Sequence, residues 1–119
     1  MNTTELAQRM AELCASGQFE AARELWSDDV VSVESFPGPH QVCEGRDAVI
    51  AKQTAWNQRT TMHSVRAEGP FVHGEQFALR LTLDCTGPDG RRGELSEIAL
   101  FTVKDGSIVE ERFFPIAGS

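Results

Sequence analysis

Three charged residues interrupt an apolar run near the end of the chain, and they are the first candidates for chemistry. Glu110, Glu111 and Arg112 lie within IVEERFFP, shortly after Asp105-Gly106. An Asp-Gly pair between two runs rich in β-branched and aromatic residues predicts a β-hairpin. A carboxylate on the apolar face of that hairpin would have its pKa raised by desolvation, which suits a general acid or base. Glu111 is therefore the first candidate for a catalytic residue.

The register of this hairpin decides which charges face the interior, and the sequence allows two registers. With a two-residue turn, Leu100 pairs with Glu111. One face then carries Ile98, Leu100, Thr102, Val109, Glu111 and Phe113. With a three-residue loop and a glycine bulge, the register slips by one residue, and Glu110 and Arg112 take the place of Glu111 on the face of Leu100. In the first register the residues predicted to bind substrate beside Glu111 are Ile98, Leu100 and Phe113.

A second candidate for proton transfer is His63, which starts a predicted strand near the end of the third predicted helix. Its unperturbed pKa makes it a usable proton shuttle. Two aromatic residues are predicted to line an apolar ligand site: Trp56 on the third helix and Phe36 on a proline-rich loop. Glu111 and His63 would then act as acid and base on a small apolar carbonyl compound.

The sequence carries no motif for a cofactor or a metal. It has no P-loop, dinucleotide fingerprint or nucleophile elbow. Its three cysteines, Cys14, Cys43 and Cys85, are widely spaced, with no Cys-x-x-Cys pair and no histidine at ligand spacing. We expect reduced, mostly buried thiols and chemistry that needs no cofactor.

Net charge and hydropathy limit the classes of binding partner and the cellular location that we expect. A formal net charge of −7 argues against a nucleic-acid partner and against an anionic membrane surface. The N-terminus lacks the basic start and apolar run of a signal peptide, and no apolar stretch reaches membrane-spanning length. A cytoplasmic location is expected.

The remaining pattern predicts three helices and a meander of strands. Helix-period apolar residues predict helices that begin at Thr3 or Thr4, at Phe19 and after Gly45, and Asp28-Asp29 reads as the exit turn of the second. The predicted strands cover 30–33, 62–68, 71–72, 77–85, 98–103 and 108–114. At 119 residues the chain should form one domain over 1–119. Helices placed before a run of hairpins indicate an α+β fold with the helices packed on one face of a curved antiparallel sheet.

Two segments resemble the SnoaL-like branch of the nuclear transport factor 2-like superfamily. They are DDVVSVESFPGPHQVCEGRDAVIAKQTAW and the closing ALFTVKDGSIVEERFFP. The resemblance covers nearly the whole chain. It implies a cone-shaped, strongly bent sheet closed by three N-terminal helices, an apolar cavity inside, and a homodimer. The superfamily includes isomerases, cyclases, dehydratases, epoxide hydrolases and proteins without catalysis, so the fold alone does not choose the function.

The catalytic positions of the ketosteroid isomerase relatives are not matched. The resemblance puts Ser35 at the position of the aspartate base and places the protonated acid at about Ile98, and the chain has no tyrosine. Two functions remain. One is an enzyme for isomerisation, cyclisation or dehydration by proton transfer, with Glu111 and His63 as its acid and base. The other is a non-catalytic dimeric module that binds a small apolar ligand or serves as a scaffold.

The central strand over 98–103 predicts a homodimer. Its apolar side chains lie on both faces, so one face can pack against helices while the other needs a cover. We expect a second copy of the chain to cover the outer face of the sheet.

Overall fold

The computed structural model describes residues 1–116, and the fold over this range is α+β, as predicted. The elements in chain order are α1 (Thr3–Ala15), α2 (Phe19–Ala22), a 3-10 helix (Arg23–Leu25), β1 (Trp26–Val33), β2 (Val42–Glu44), α3 (Arg46–Arg59), β3 (Thr61–His73), β4 (Gln76–Thr86), β5 (Arg92–Lys104) and β6 (Ser107–Pro115).

The strands form one mixed sheet in the order β2-β1-β6-β5-β4-β3. All neighbouring pairs are antiparallel except β1 and β6, which run parallel. The prediction of a wholly antiparallel sheet is therefore wrong at this pair. A parallel pair needs a long crossover, which here consists of all the elements between β1 and β6, so local patterns carry no sign of it. Strand β6 consequently lies in the middle of the sheet, between β1 and β5.

Helix α1 begins with a capping box at Asn2. The Asn2 Oδ1 accepts a hydrogen bond from the Glu5 backbone N–H at 2.8 Å, and the Glu5 carboxylate accepts one from the Asn2 backbone N–H at 3.1 Å. The cap therefore lies just before the predicted Thr3 or Thr4, because asparagine caps more strongly than threonine. The buried side chains of α1 recur at helical spacing and are Leu6, Ala7, Met10, Leu13 and Cys14. This face packs mainly against β3.

The second helix ends earlier than its apolar spacing predicts. Helix α2 stops at Ala22, and after the 3-10 turn the chain enters β1 at Trp26. Asp28 and Asp29 belong to β1 and do not form an exit turn. The register with β6 is irregular between Trp26, which is aligned with Ile108, and Val31, so the two aspartates lie in a bulged part of the strand. Trp26 is buried, but it belongs to strand β1 and not to the predicted helix.

The core lies against the inner face of β4 and β5. Phe77 on β4 and Phe101 on β5 are directly paired, and their rings stack with centroids 4.8 Å apart. The inner face of β5 continues with Ala99 and Val103, both buried. The alternation predicted for 77–85 is confirmed by the buried Phe77, Leu79, Leu81 and Leu83.

The three cysteines are free, with Cys14 and Cys43 buried and Cys85 partly exposed. Within residues 1–116, no helix is both long enough and apolar enough to cross a membrane.

Candidate functional site

A β-bulge in the closing hairpin decides which residues face the interior. Asp105 and Gly106 form a two-residue turn with positive φ angles of 52° and 78°, and Lys104 pairs with Ser107. Val103 then pairs with Ile108, but Thr102 pairs with Glu110, so Val109 is the extra residue. The turn is the predicted two-residue turn. Beyond the bulge, however, the register is the one predicted for a three-residue loop, in which Glu110 and Arg112 share a face with Leu100.

The bulge corrects the predicted set of binding residues. Leu100 pairs with Arg112 and Ile98 with Phe114, so Ile98 and Leu100 lie on the outer face, where Ile98 is 41% exposed. Glu111 pairs with Phe101 and therefore lies on the inner face, opposite to Ile98 and Leu100. The prediction that these two residues share a face with Glu111 is wrong, because one bulged residue moves every later side chain of β6 to the other face.

Glu111 is a buried carboxyl that accepts a hydrogen bond from a neighbouring strand. Only 3% of its surface is exposed, and its Oε2 accepts a hydrogen bond from Ser32 Oγ at 2.8 Å. Ser32 is fully buried and is the residue of β1 that pairs with Glu111 across the parallel ladder. Burial raises the pKa of Glu111, and the Ser32 hydroxyl and the Lys52 ammonium oppose that rise. The predicted desolvation of this carboxyl is confirmed.

Lys52 on α3 is the cation of the cluster. Its Nζ donates hydrogen bonds to Ser32 Oγ and to Glu34 Oε1, the second at 2.9 Å. The ammonium also lies 5.1 Å from the centroid of the Phe113 ring, within the range of a cation–π contact. Its side chain is only 11% exposed. Lys52 is therefore held in place on three sides.

Glu97 on β5 is the second perturbed carboxyl. It lies on the inner face, four residues before Phe101, the strand partner of Glu111. Burial raises the pKa of Glu97 to about 7, repulsion by Glu34 adds to the rise, and Lys52 acts against it. Glu97 therefore changes charge near neutral pH, where an acid–base catalyst works best.

Trp26 contributes a polar group close to Glu111. Its indole Nε1 is buried and has no partner in hydrogen-bond geometry within residues 1–116. The indole still lies close enough to Glu111 to lower the pKa of the carboxyl slightly. This approach is a weak polar contact, because it does not meet the geometry of a hydrogen bond.

The other residues predicted for the site are scattered. His63 is exposed on β3, three strands from β6, and its Nε2 lies 2.8 Å from Thr86 Oγ1. Phe36 is 54% exposed on its loop. Trp56 is half-buried on α3, one turn after Lys52. Of the predicted residues, the structure brings together only Glu111 and Phe113.

Four residues of the cluster were not among the predicted site residues: Ser32, Glu34, Lys52 and Glu97. Ser32 and Glu34 reach the cluster through the parallel pairing of β1 and β6, which has no local signature. Glu97 reaches it through the register set by Val109. A signal did exist for Lys52, which is one of only two lysines in the chain and lies one helical turn before Trp56.

Neither of two surface grooves touches this cluster. One, of about 430 Å³, is lined by residues 44–48 and Asp28, and the other, of about 530 Å³, by residues 17–21, Asn57 and Met62. Among residues 1–116, no group of three or more His, Cys, Asp or Glu side chains is arranged to hold a metal ion.

Nearly the whole chain matches a protein family. The sequence profile of the SnoaL-like domain covers residues 1–115. This chain belongs to the SnoaL-like domain family. The resemblance drawn from the sequence is thereby confirmed.

Solved structures support the same assignment. This SnoaL-like protein is 39% identical to a candidate SnoaL-like polyketide cyclase from Mesorhizobium loti, also designated a carbohydrate phosphatase, with a TM-score of 0.91 over 96% of this chain and 99% of the other. A candidate isomerase from Bacillus subtilis is 18% identical, with a TM-score of 0.78 over 98% and 90% of the two chains. A candidate polyketide cyclase from Pseudomonas putida is also 18% identical, with a TM-score of 0.74 over 98% and 93%. These last two show the fold alone. No curated protein sequence matches the chain.

Proposed function

We propose that this SnoaL-like protein catalyses cofactor-free proton transfer on a small apolar carbonyl compound, in an isomerisation, cyclisation or dehydration. The observation that carries the proposal is the pair of perturbed carboxyls. Glu97 has a pKa of about 7, and the deeply buried Glu111 has its pKa raised by the same desolvation. A carboxyl that titrates near neutral pH and a second carboxyl whose pKa is raised by burial make an acid–base pair.

In an enolisation, Glu97 would act as the base and Glu111 as the acid. Ionised Glu97 takes a proton from the carbon next to the carbonyl, and the electrons of that C–H bond form the carbon–carbon double bond of the enol. Neutral Glu111 gives its proton to the carbonyl oxygen. In a substrate whose enol is conjugated with a second double bond, isomerisation is completed when Glu97 returns its proton to the far end of that conjugated system and the enol oxygen returns its proton to Glu111. Each group ends as it began, so no further reactant is needed.

The charges of the cluster favour an uncharged substrate. Three carboxyls, Glu34, Glu97 and Glu111, lie around the single ammonium of Lys52, which is already paired with Glu34. A phosphoryl or carboxylate group would meet net repulsion there. This balance favours carbonyl chemistry over the phosphatase designation of the Mesorhizobium loti relative.

Solvent exchange tests the proposal. A panel of small apolar ketones and β-keto esters is incubated with the protein in D2O, and NMR follows deuterium uptake at the carbon next to the carbonyl. We expect acceleration by the parent and a loss of about 100-fold or more in Glu97→Gln, the usual scale for a general base. Glu94→Gln is the matched control, because Glu94 is on the same strand with its side chain 67% exposed. Equal rates in parent and Glu97→Gln would refute the role of Glu97.

A non-catalytic module is the second candidate, and one observation favours it. Glu111 and Ser32 are almost wholly enclosed, and the two grooves described above lie elsewhere. In that case the cluster is a structural network and the protein binds an apolar ligand or acts as a scaffold. Binding of panel compounds without any deuterium uptake is the outcome that favours this candidate.

We further propose a cone-shaped sheet closed by the helices and a homodimer formed through its outer face. The dimer is proposed because Ile98 and Phe114, which pair on adjacent central strands, are 41% and 48% exposed. Exposed apolar groups at the centre of a sheet mark an interaction surface.

Light scattering tests the dimer. We expect twice the monomer mass of 13.1 kDa for the parent and a monomer for Ile98→Asp, which puts a charge into the proposed interface. Val42→Asp is the control, since Val42 is 53% exposed on the edge strand β2. A monomeric parent at micromolar concentration would overturn the dimer.

A further inference from the structure

The hydrogen bonds that lead from Lys52 to Glu111 have a fixed direction. An ammonium group carries three donors and no acceptor, so Lys52 Nζ must donate to Ser32 Oγ. The single hydrogen of the Ser32 hydroxyl is then left for Glu111 Oε2, 2.8 Å away. Without Lys52 the hydroxyl could rotate and accept from a protonated Glu111 instead.

We propose that Lys52 is a positioning residue: by donating to Ser32 it directs the serine hydrogen onto Glu111 Oε2 and leaves Oε1 as the oxygen that carries the exchangeable proton. The carbonyl oxygen of a neutral carboxyl accepts a hydrogen bond better than its hydroxyl oxygen does, so the oxygen that faces Ser32 is the unprotonated one. The consequence of this proton placement for catalysis rests on the proposed function, in which Glu111 gives that proton to the substrate.

Lys52 is itself held firmly enough for this task. Glu34 Oε1 accepts its second hydrogen bond at 2.9 Å, and the Phe113 ring lies on another side of the ammonium. An almost buried lysine side chain held by two acceptors and a ring loses its freedom to turn away.

The groups that act on Glu111 come from four elements and from the loop after β1. They are Cys14 from α1, Trp26 and Ser32 from β1, Glu34 from the loop, Lys52 from α3 and Glu97 from β5, and only Lys52 is a cation. Lys52 therefore has two separable effects on Glu111. One is direct charge attraction, and the other is the direction that it gives to the Ser32 hydrogen.

A double-mutant cycle separates these two effects. With 13C-labelled glutamate side chains, NMR follows the titration midpoint of Glu111 in the parent, Lys52→Met, Ser32→Ala and the double variant. We expect each single change to raise the midpoint, because each removes a group that favours the ionised form. We also expect the effect of Lys52→Met to shrink when Ser32 is already absent. An unchanged effect in the Ser32→Ala background would overturn the proposal, since Lys52 would then act by charge alone.

Two further variants keep the test decisive. Lys52→Arg retains a cation that can donate, so it should restore the parent midpoint to a large extent. Lys104→Met is the control, because Lys104 is the other lysine of the chain and is exposed at the β5–β6 turn. If Lys52→Met does not fold, Lys52→Leu, which likewise removes both the donor and the charge, takes its place in the cycle. A Lys104→Met effect as large as that of Lys52→Met would also overturn the proposal.

These titrations need no substrate, so they are independent of the proposed function. Coupling between Lys52 and Ser32 without deuterium uptake from any compound would support the positioning role and refute the enzyme. If uptake is found, Lys52→Met should lower kcat far more than it changes KM and should shift the pH profile, while Lys52→Arg restores both.

Discussion

Glu97→Gln is expected to be more stable than the parent at pH 8 by about 3 kcal/mol and nearly equal to it at pH 4. The folded-state pKa of Glu97 is about 7, above the ordinary value of 4.5 that applies to the unfolded chain. A raised pKa means that the folded protein holds the proton more tightly. Its contribution to stability is therefore full below pH 4.5 and is lost as pH rises through 7. Glutamine has no proton to lose, so the variant avoids this loss. Each unit of difference between the folded and unfolded pKa values of Glu97 corresponds to about 1.4 kcal/mol of unfolding free energy.

Urea denaturation at pH 4, 6 and 8 measures this difference. The parent should lose stability between pH 4.5 and 7, and Glu97→Gln should lose less. Glu111 has a raised pKa as well and adds a loss of the same sign to both proteins. Glu94→Gln should follow the parent, because its side chain is 67% exposed. If Glu97→Gln is the less stable protein at pH 8, Glu97 is paired or solvated in the fold and its role as a base is wrong.

Phe77→Ala is expected to cost about 3–5 kcal/mol of stability, the usual loss for a buried aromatic side chain. Phe77 is 1% exposed and stacks on Phe101, which is in turn the strand partner of Glu111. The truncation leaves a cavity that this rigid pair of strands cannot close, so the inner face that carries both carboxyls also loosens.

Denaturant unfolding at pH 6 measures that cost. Phe71→Ala is the matched control, because Phe71 is on the neighbouring strand β3 and is 65% exposed. It should lose about 0.5 kcal/mol or less. Similar losses in the two variants would mean that Phe77 does not anchor the core.

Features with a local cause were predictable from the sequence. The turn at Asp105-Gly106 depends on two residues that tolerate positive φ angles, and it forms as predicted. The alternation of β4 and the helical stripe of α1 each reflect one buried face, and both are found in the structure. Even the desolvation of Glu111 was predicted, although through the wrong register.

The site depends on features with no local cause. Two are decisive: the bulge at Val109, and the parallel pairing that sets Ser32 beside Glu111. The first puts Glu111 on the inner face that carries Glu97 and Phe101, and not on the face of Ile98. The second joins strands separated by most of the chain, and it brings Ser32 to the ammonium of Lys52 on α3. Neither the bulge nor the parallel pairing can be predicted from periodicity. Periodicity reports which residues share a face of a strand, but not which strands are neighbours or where a register shifts.

The proposed acid–base site depends on Glu97 keeping its proton until near neutral pH. The direct measurement is the titration of the Glu97 side-chain carboxyl carbon by 13C NMR, assigned by the signal that is missing in Glu97→Gln. We expect a midpoint of about 7, raised mainly by burial and then by repulsion from Glu34. A midpoint at the ordinary value of 4.5 would show a solvated carboxylate and would contradict the acid–base site.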